Sequence, residues 1–398
     1  MSGVIQKDKT RLLQEFQREL LAGGLNSVSL SESLKEAENE LKSYFEHPDM
    51  LEKVLGAGGM TYEPSFLRAK RSQSWVSNSV RDILYDLRNA LRCNEALVFK
   101  TLATWVKTTD RAIANVGAVA MLQADKGDLD PHLQVKSILR EMADLLEGSL
   151  KIFAQLRLKM LEIAGARNAN AKLLETRTFG EIIEELVKIA TNGQVYCPPP
   201  YGISASQWRN IAHHNSYDTK GDLVTCTYGP AGKHKTFTCS PKDIFAVACY
   251  FGDLCYVHKV AIEIFGVDNA AGWAKNSPDL TVSDFTMDAA LAFGLVSAGF
   301  EICYATQTGN MWRLALKDAR ERERSSIKAA LQEAVLSYTL MGGPTRIEAA
   351  VYSPRITHRI GFISSVSTDQ NIPSDFQGDV LRLDKRFRII PKAENQKP

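Results

Sequence analysis

Residues 208–215 bring a fixed cation, an amide and two imidazoles into one short stretch: Arg209, Asn210, His213 and His214. A guanidinium keeps its charge and can stabilise a phosphate, whereas an imidazole titrates near neutral pH and can move a proton. In-line attack on a phosphodiester needs both tasks and need not involve a metal ion. The alternative is a solvated basic helix end whose histidines complement the helix dipole.

The sequence around this stretch predicts a helix that positions it. Ser204 and Gln207 have the spacing of a capping box, so we expect the helix to begin there. At about 100° per residue Arg209 and His213 share a face, whereas Arg209 and His214 are about 140° apart. Both histidines can line one cleft with Arg209 if the helix end tightens or frays.

The elements on either side of this helix are also predicted to be helical. A long helix is expected over 130–166 with a weak interruption at Gly148, and a second over 178–190 that begins at a Thr178–Glu181 capping box. Residues 197–200, Cys-Pro-Pro-Pro, predict an extended approach to the motif. Ser240 followed by proline predicts the start of a further helix that ends at Gly266.

An arginine, a polar residue and then a histidine after a gap of four to six residues resemble the catalytic motif of HEPN-domain ribonucleases. Here the motif consists of Arg209, Asn210 and His214, with four residues between the arginine and the histidine. His213 falls one residue short of that gap. Residues 178–186 also resemble the helix before the motif helix, and the resemblance covers about residues 141–266.

The resemblance implies a metal-independent endoribonuclease in which a ribose 2′-hydroxyl attacks the adjacent phosphate and leaves a cyclic phosphate end. Arg209 would hold the phosphate, His214 would act as general base or acid, Asn210 would orient either group, and His213 would assist or cap the helix. The resemblance further implies a homodimer with the two motif helices near one another, an RNA substrate, no cofactor, and a toxin or anti-phage defence effector. An antitoxin or a sensor would then be a partner.

A second hypothesis comes from a different class of protein. Some members that resemble this fold are non-catalytic helical modules that bind nucleotide, RNA or a partner protein. Arg209 and His214 would then bind without turnover. The intact motif favours the ribonuclease hypothesis over this alternative.

After Tyr217 the apolar period changes from helical to alternating, which predicts a β-hairpin of strands at 223–228 and 235–238. Its tip carries Lys233, His234 and Lys235, which could contact substrate phosphate or serve only solubility. A zinc site is disfavoured because the candidate ligands match no paired-ligand spacing. Those candidates are Cys226, Cys239, His213, His214 and His234.

Composition excludes several classes of protein. The chain has 398 residues, a formal charge of +2, and 44% hydrophobic and 24% charged residues, as in ordinary globular proteins. The small charge excludes a strong overall basic field, so nucleic acid would have to bind at a local patch. Seven scattered cysteines argue for reduced thiols. With no signal peptide and no apolar run of about 18 residues, we expect no membrane association and a cytoplasmic protein.

The whole chain is therefore predicted to be mainly α with three domains. Residues 1–135 form an all-helical region, with helices at 10–22, 30–46, 74–91, 95–109 and 111–122. Residues 136–268 form the HEPN-like bundle with its hairpin insert. A linker is predicted over 267–283, and residues 269–398 form a small α+β domain. Its predicted helices lie at 286–297 and 320–340, with strands at 300–305, 311–316, 346–352, 358–364 and 380–389.

Overall fold

The computed structural model describes most of residues 30–276 and shorter stretches toward both ends of the chain. The described ranges are 6–10, 13–14, 17–18, 30–56, 60, 63–123, 130–166, 174–221, 223–230, 232–276, 291–292, 294–296, 298–308, 311–320, 330–331, 346–353, 356–365 and 388–390. The chain forms two compact units. One comprises residues 1–43, 47–69 and 282–398, and the other comprises 44–46 and 70–281.

The described part of the chain is mainly helical, as predicted. Its helices are α1 (Leu30–Leu41), α2 (Pro48–Gly56), α3 (Glu63–Ala69), α4 (Ser74–Cys93), α5 (Glu95–Gln123), α6 (Pro131–Leu145), α7 (Lys151–Ile163), α8 (Phe179–Ile189), α9 (Ala205–His213), α10 (Pro241–Asp268) and α11 (Ala270–Asn276). Its strands are β1 (Gln6–Asp8), β2 (Tyr217–Lys220), β3 (Leu223–Tyr228), β4 (Lys235–Cys239), β5 (Phe300–Thr308), β6 (Met311–Asp318), β7 (Arg346–Ser353), β8 (Ile356–Ser365) and β9 (Arg388–Ile390).

The first unit contains α1 to α3 and a six-stranded sheet of order β1-β5-β6-β7-β8-β9. Neighbouring strands are antiparallel except β6 and β7, which are parallel. Phe300, Trp312 and Leu316 are buried on β5 and β6. Because β1 pairs with β5, the prediction of an all-helical N-terminal region is wrong at β1. This unit joins residues 1–43 and 47–69 with 282–398, and residue 135 lies within the other unit.

The C-terminal strands predicted around 300–305, 311–316, 346–352 and 358–364 are confirmed, each with slightly longer bounds. The predicted last strand is described only as β9, which lies at the edge of the described sheet. Most of the helices predicted at 10–22, 286–297 and 320–340 lie outside the described residues.

The second unit is organised around α10, which packs against α4, α5, α6 and α11. Phe251, Leu254, Val257 and Ile264 of α10 are fully buried. Among the described residues, this one helix is long and apolar enough to cross a membrane, and 61% of its most apolar window is buried inside the protein.

Two of the predicted helix starts are confirmed as capping boxes. At α8, the backbone N–H of Glu181 donates to Thr178 Oγ1 at 3.3 Å, and the N–H of Thr178 donates to Glu181 Oε2 at 2.7 Å. At α10, the N–H groups of Asp243 and Ser240 make the same reciprocal pair at 3.2 and 2.8 Å. Each box satisfies backbone donors that the first turn leaves unpaired.

The predicted weak interruption at Gly148 is a single π-helical turn, Leu146–Leu150, between α6 and α7. Asn115 of α5 lies against this turn, and its amide donates to Ser149 Oγ at 3.1 Å. A β-carbon added at Gly148 would lie 3.0 Å from Asn115 Nδ2, so the Asn115 side chain would have to shift by a few tenths of an ångström to admit it. The turn changes the direction of the side chains that follow α6.

Three other predictions differ from the structure. The helices expected at 95–109 and 111–122 form one continuous helix, α5. The segment 267–283, predicted as a linker, holds the end of α10 and all of α11 within its described residues. The predicted hairpin is confirmed as β3 and β4, but β2 pairs with β3 and makes a three-stranded sheet.

A buried ion pair joins α4 to α7. Arg157 donates through Nε to Asp86 Oδ2 at 2.8 Å, and its Nη2 lies 2.6 Å from the same oxygen. Thr191 donates its hydroxyl to Asp86 Oδ1 at 2.7 Å and accepts from Arg157 through its carbonyl. Each charged side chain is 2% exposed. The pair therefore holds α7, which follows the π-turn, against α4.

Candidate active site

Helix α9 is fixed by its buried face. Trp208 and Ile211 are fully buried. The Trp208 ring lies edge-on to Phe237 of β4 at 5.4 Å and to Tyr201 at 6.0 Å between centroids. Because this side of the helix is held in the core, Arg209 is carried on its partly exposed side.

The predicted capping box at the start of α9 is wrong. Ser204 is the N-cap residue, but its side chain makes no capping bond and lies 2.9 Å from Ser206 Oγ, oxygen to oxygen. The Gln207 side chain instead accepts from the backbone N–H of Gly229 at 3.2 Å. Gln207 therefore ties the motif helix to the β3–β4 loop.

The approach to α9 also differs from the predicted extended segment. Residues 199–202 form a turn, in which the N–H of Gly202 donates to the Pro198 carbonyl at 3.0 Å. Gly202 has φ +62°, a conformation that glycine adopts without steric cost. The chain thus enters α9 from a closed turn.

The end of α9 places the two histidines differently. His213 is the last helical residue and His214 is the C-cap, with its N–H bonded to the Asn210 carbonyl at 3.0 Å. Asn215 takes a left-handed conformation with φ +49°, and Ser216 donates to the Ile211 carbonyl, as in a Schellman motif. Both histidine side chains are exposed, and Asn210 is half-buried.

Arg209 pairs with a carboxylate that sequence reasoning missed. Its Nε lies 3.1 Å from Glu147 Oε1, in the π-turn. Glu147 also pairs with Lys151, at 3.2 Å. Arg209 is 22% exposed, and within the described ranges the pair with Glu147 is its one contact with a charged group. Nε is buried and makes no hydrogen bond, so Glu147 attracts the guanidinium on its inner side by charge alone and leaves the two outer nitrogens for a ligand.

The β3–β4 loop contacts the motif helix at its base, where Gly229 donates to Gln207. Lys233, His234 and Lys235 are exposed, and Lys235 begins β4 opposite Tyr228. Gly229, which bonds to Gln207, has φ +104°. A β-carbon at Gly229 would lie 2.9 Å from the Lys233 carbonyl oxygen. The loop is therefore closely packed at its base and exposed at its cations.

Among the disfavoured zinc ligands, the thiols of Cys226 and Cys239 are neighbours on paired strands. Cys226 and Cys239 are buried in β3 and β4, and the Cys239 thiol lies 3.7 Å from the Val224 carbonyl oxygen. The three candidate histidines are exposed. Within the described ranges, no group of three or more His, Cys, Asp or Glu residues is arranged to hold a metal ion.

Glu147 has only a weak sequence signal, its spacing of four residues from Lys151. Its partner Arg209 lies on another helix, so no local pattern connects the two. Comparison of the chain with protein-family models, with curated proteins and with solved structures finds no match.

Proposed function

We propose that this protein is a metal-independent endoribonuclease with a HEPN-like bundle, in which a ribose 2′-hydroxyl attacks the adjacent phosphate and leaves a cyclic phosphate end. The observation that carries the proposal is the pairing of Arg209 with Glu147 through Nε, at the helix end that carries two exposed histidines. The terminal nitrogens of a guanidinium match two phosphate oxygens. Helix α9 and its C-cap thus carry both the cation and the imidazoles that can transfer a proton.

Each motif residue has a role in this proposal. Arg209 binds the phosphate and stabilises the charge that develops on it. His214 removes the proton from the 2′-hydroxyl or donates one to the leaving oxygen. Asn210 orients the phosphate or the imidazole, and His213 assists or caps the helix end. One such helix offers few groups for both oxygens, so two copies of α9 come together in a homodimer.

The biological setting follows from the same proposal. A metal-independent ribonuclease of this kind would act in the cytoplasm as a toxin or anti-phage defence effector, with an antitoxin or a sensor as partner. Lys233, His234 and Lys235 would contact the substrate beyond the scissile phosphate. Incubation of the purified protein with RNA, followed by analysis of fragment ends, tests the activity.

Replacing Glu147 with alanine should lower kcat/KM for RNA by up to about 10²-fold, because a guanidinium without its anchor no longer faces the phosphate in one orientation. Glu147→Gln, which keeps an oxygen acceptor, should lose less. The matched control is Lys151→Ala, since Lys151 contacts the same carboxylate. Equal losses in kcat/KM for Lys151→Ala and Glu147→Ala would show that the loss does not come from the contact of Glu147 with Arg209.

Cleavage of an unstructured oligonucleotide should continue in excess chelator at an unchanged rate. The carboxylate beside Arg209 is Glu147, which is already paired with two cations and is poorly suited to hold a metal ion. An unstructured substrate is needed because folded RNA itself uses magnesium. Complete loss of cleavage under these conditions would indicate a metal mechanism.

One observation favours the second candidate, a non-catalytic module that binds nucleotide, RNA or a partner protein. The charge of Arg209 is partly balanced by Glu147, which suits reversible binding as well as catalysis. RNA that is bound but recovered intact would support this candidate.

A further inference from the structure

A histidine and two cations form a row on α6. His132, Lys136 and Arg140 are spaced four residues apart, so they lie on one face of the helix, about 6 Å apart along its axis. All three side chains are exposed. Lys136 and Arg140 have no recorded ion-pair partner within the described ranges. We call these three residues the α6 row.

Two contacts place the α6 row beside the candidate active site. At one end, His132 Nδ1 lies 2.7 Å from Thr219 Oγ1 of β2. At the other, Glu147 in the turn that follows α6 lies 3.1 Å from Arg209. Helices α6 and α9 pack together between these points. The segment from Arg209 to Thr219 therefore runs alongside α6 in the opposite direction, and it carries both motif histidines.

We propose that the α6 row binds the sugar–phosphate backbone of single-stranded RNA and leads it to Arg209; this inference rests on the proposed function. Lys136 and Arg140 are about 6 Å apart along the helix axis, which matches the separation of successive phosphates in an extended strand. Unpaired lysine and arginine side chains gain charge-assisted bonds to phosphate without first breaking an internal ion pair. The α6 row thus contacts phosphates outside the scissile one.

Asp144 is a carboxylate on the same face. It lies four residues beyond Arg140, is exposed, and has no recorded ion pair with it within the described ranges. Its negative charge repels phosphate and separates the α6 row from Arg209. Removing that charge should strengthen the binding of RNA, whereas removing the cations should weaken it.

The test measures binding to a fluorescent single-stranded oligonucleotide with every 2′-hydroxyl methylated, so that attack by that group is blocked. Lys136→Ala with Arg140→Ala should weaken binding about ten- to a hundredfold. The slope of log affinity against log salt should fall by about 1.4, because two phosphate contacts are lost from a single strand. Asp144→Asn should bind more tightly than the wild-type protein.

The matched control is Lys100→Ala with Lys107→Ala, two exposed lysines on α5. This double variant should bind the oligonucleotide within about twofold of the wild type, as surface substitutions away from a site usually do. Equally weakened binding in both double variants would show that net charge alone explains the effect, and it would contradict the proposed role of the α6 row. Equal affinity of the wild type for polyglutamate would also overturn it, in favour of an acidic protein partner.

The two proposals can fail separately. If the α6-row variant loses binding to the methylated strand but the wild-type protein does not cleave RNA, the binding site is supported and the ribonuclease proposal is contradicted. If the wild-type protein cleaves RNA and the α6-row variant binds and cleaves like the wild type, the ribonuclease proposal is supported and the proposed role of the α6 row is contradicted.

Discussion

Replacing Arg209 with alanine should lower the rate of RNA cleavage by about 10²- to 10⁴-fold and leave the fold intact. The side chain is partly exposed, and its one described ion pair, with Glu147, lies in a cluster in which Lys151 remains. Such a surface pair contributes about 0–1 kcal/mol to stability. The lower cleavage rate would therefore come from lost stabilisation of the charge on the phosphate. Single-turnover cleavage rates and the circular dichroism of both proteins check this.

Arg209→Lys should also fail to cleave, because an ammonium cannot reproduce the two-pronged contact of a guanidinium with a phosphate. This variant keeps the positive charge, so it separates geometry from net charge. Cleavage by Arg209→Lys at the wild-type rate would mean that any cation suffices at this position.

His214→Ala should lose cleavage to the same extent, whereas His213→Ala should lose less. His214 has the gap of the motif and lies at the helix C-cap, outside the last helical turn. His213 shares the helical face of Arg209. Inactivation by His213→Ala alone would show that this face, and not the motif gap, selects the proton carrier. Unchanged cleavage rates for folded Arg209→Ala and His214→Ala would show that these residues do not carry out the cleavage.

Replacing Asp86 with alanine should lower the free energy of unfolding by about 3–5 kcal/mol. The substitution leaves the Arg157 guanidinium buried and without its carboxylate, and it also leaves the Thr191 hydroxyl unpaired. Urea unfolding of the wild type and the variant gives the difference. The same denaturation curve should report loss of the packing of α7 against α4.

The control for this prediction is Asp82→Asn, one turn earlier on α4, where the carboxylate accepts from Asn192 Nδ2 at 3.0 Å on the exposed surface. Its effect should stay within about 0.5 kcal/mol. If Asp86→Ala does not fold, Asp86→Leu combined with Arg157→Met removes both charges and should be more stable than Asp86→Ala. A loss below about 1 kcal/mol for Asp86→Ala would contradict the buried pair.

Local patterns predicted the starts of α8 and α10 because a capping box involves residues only three apart. The same pattern at Ser204 and Gln207 failed. There the Gln207 side chain bonds to Gly229, which the packing of β3 and β4 brings beside α9. A tertiary partner competes with the local one, and the sequence near α9 carries no sign of it.

The helix break after Thr109 and the linker at Gly272 were predicted from residue types. Both predictions failed because these residues have hydrogen-bond or packing partners within a helix. Thr109, placed at a break, donates its hydroxyl to the carbonyls of Trp105 and Val106 and stays within α5. Gly272, placed in a linker, lies inside α11. A β-carbon there would be 2.5 Å from the Phe99 ring, so glycine serves close packing at this position.

The composition of the motif could be predicted from the sequence, but its surroundings could not. The spacing of Arg209 and His214 on one helix is local, whereas Glu147 and the α6 row reach the site only through tertiary packing. The pairing of β1 with β5 has the same non-local character. Each of these contacts joins segments far apart in the chain, for which periodicity gives no information.

The central claim, attack by a ribose 2′-hydroxyl, is tested most directly with a DNA oligonucleotide that contains a single ribonucleotide. The wild-type protein, in excess chelator, should cut this strand only after the ribonucleotide and leave a 2′,3′-cyclic phosphate on the upstream fragment, identified by its mass. Arg209→Ala should leave the strand whole. Cleavage at deoxyribonucleotides, a 3′-hydroxyl end, or an intact strand with wild-type protein would contradict the claim.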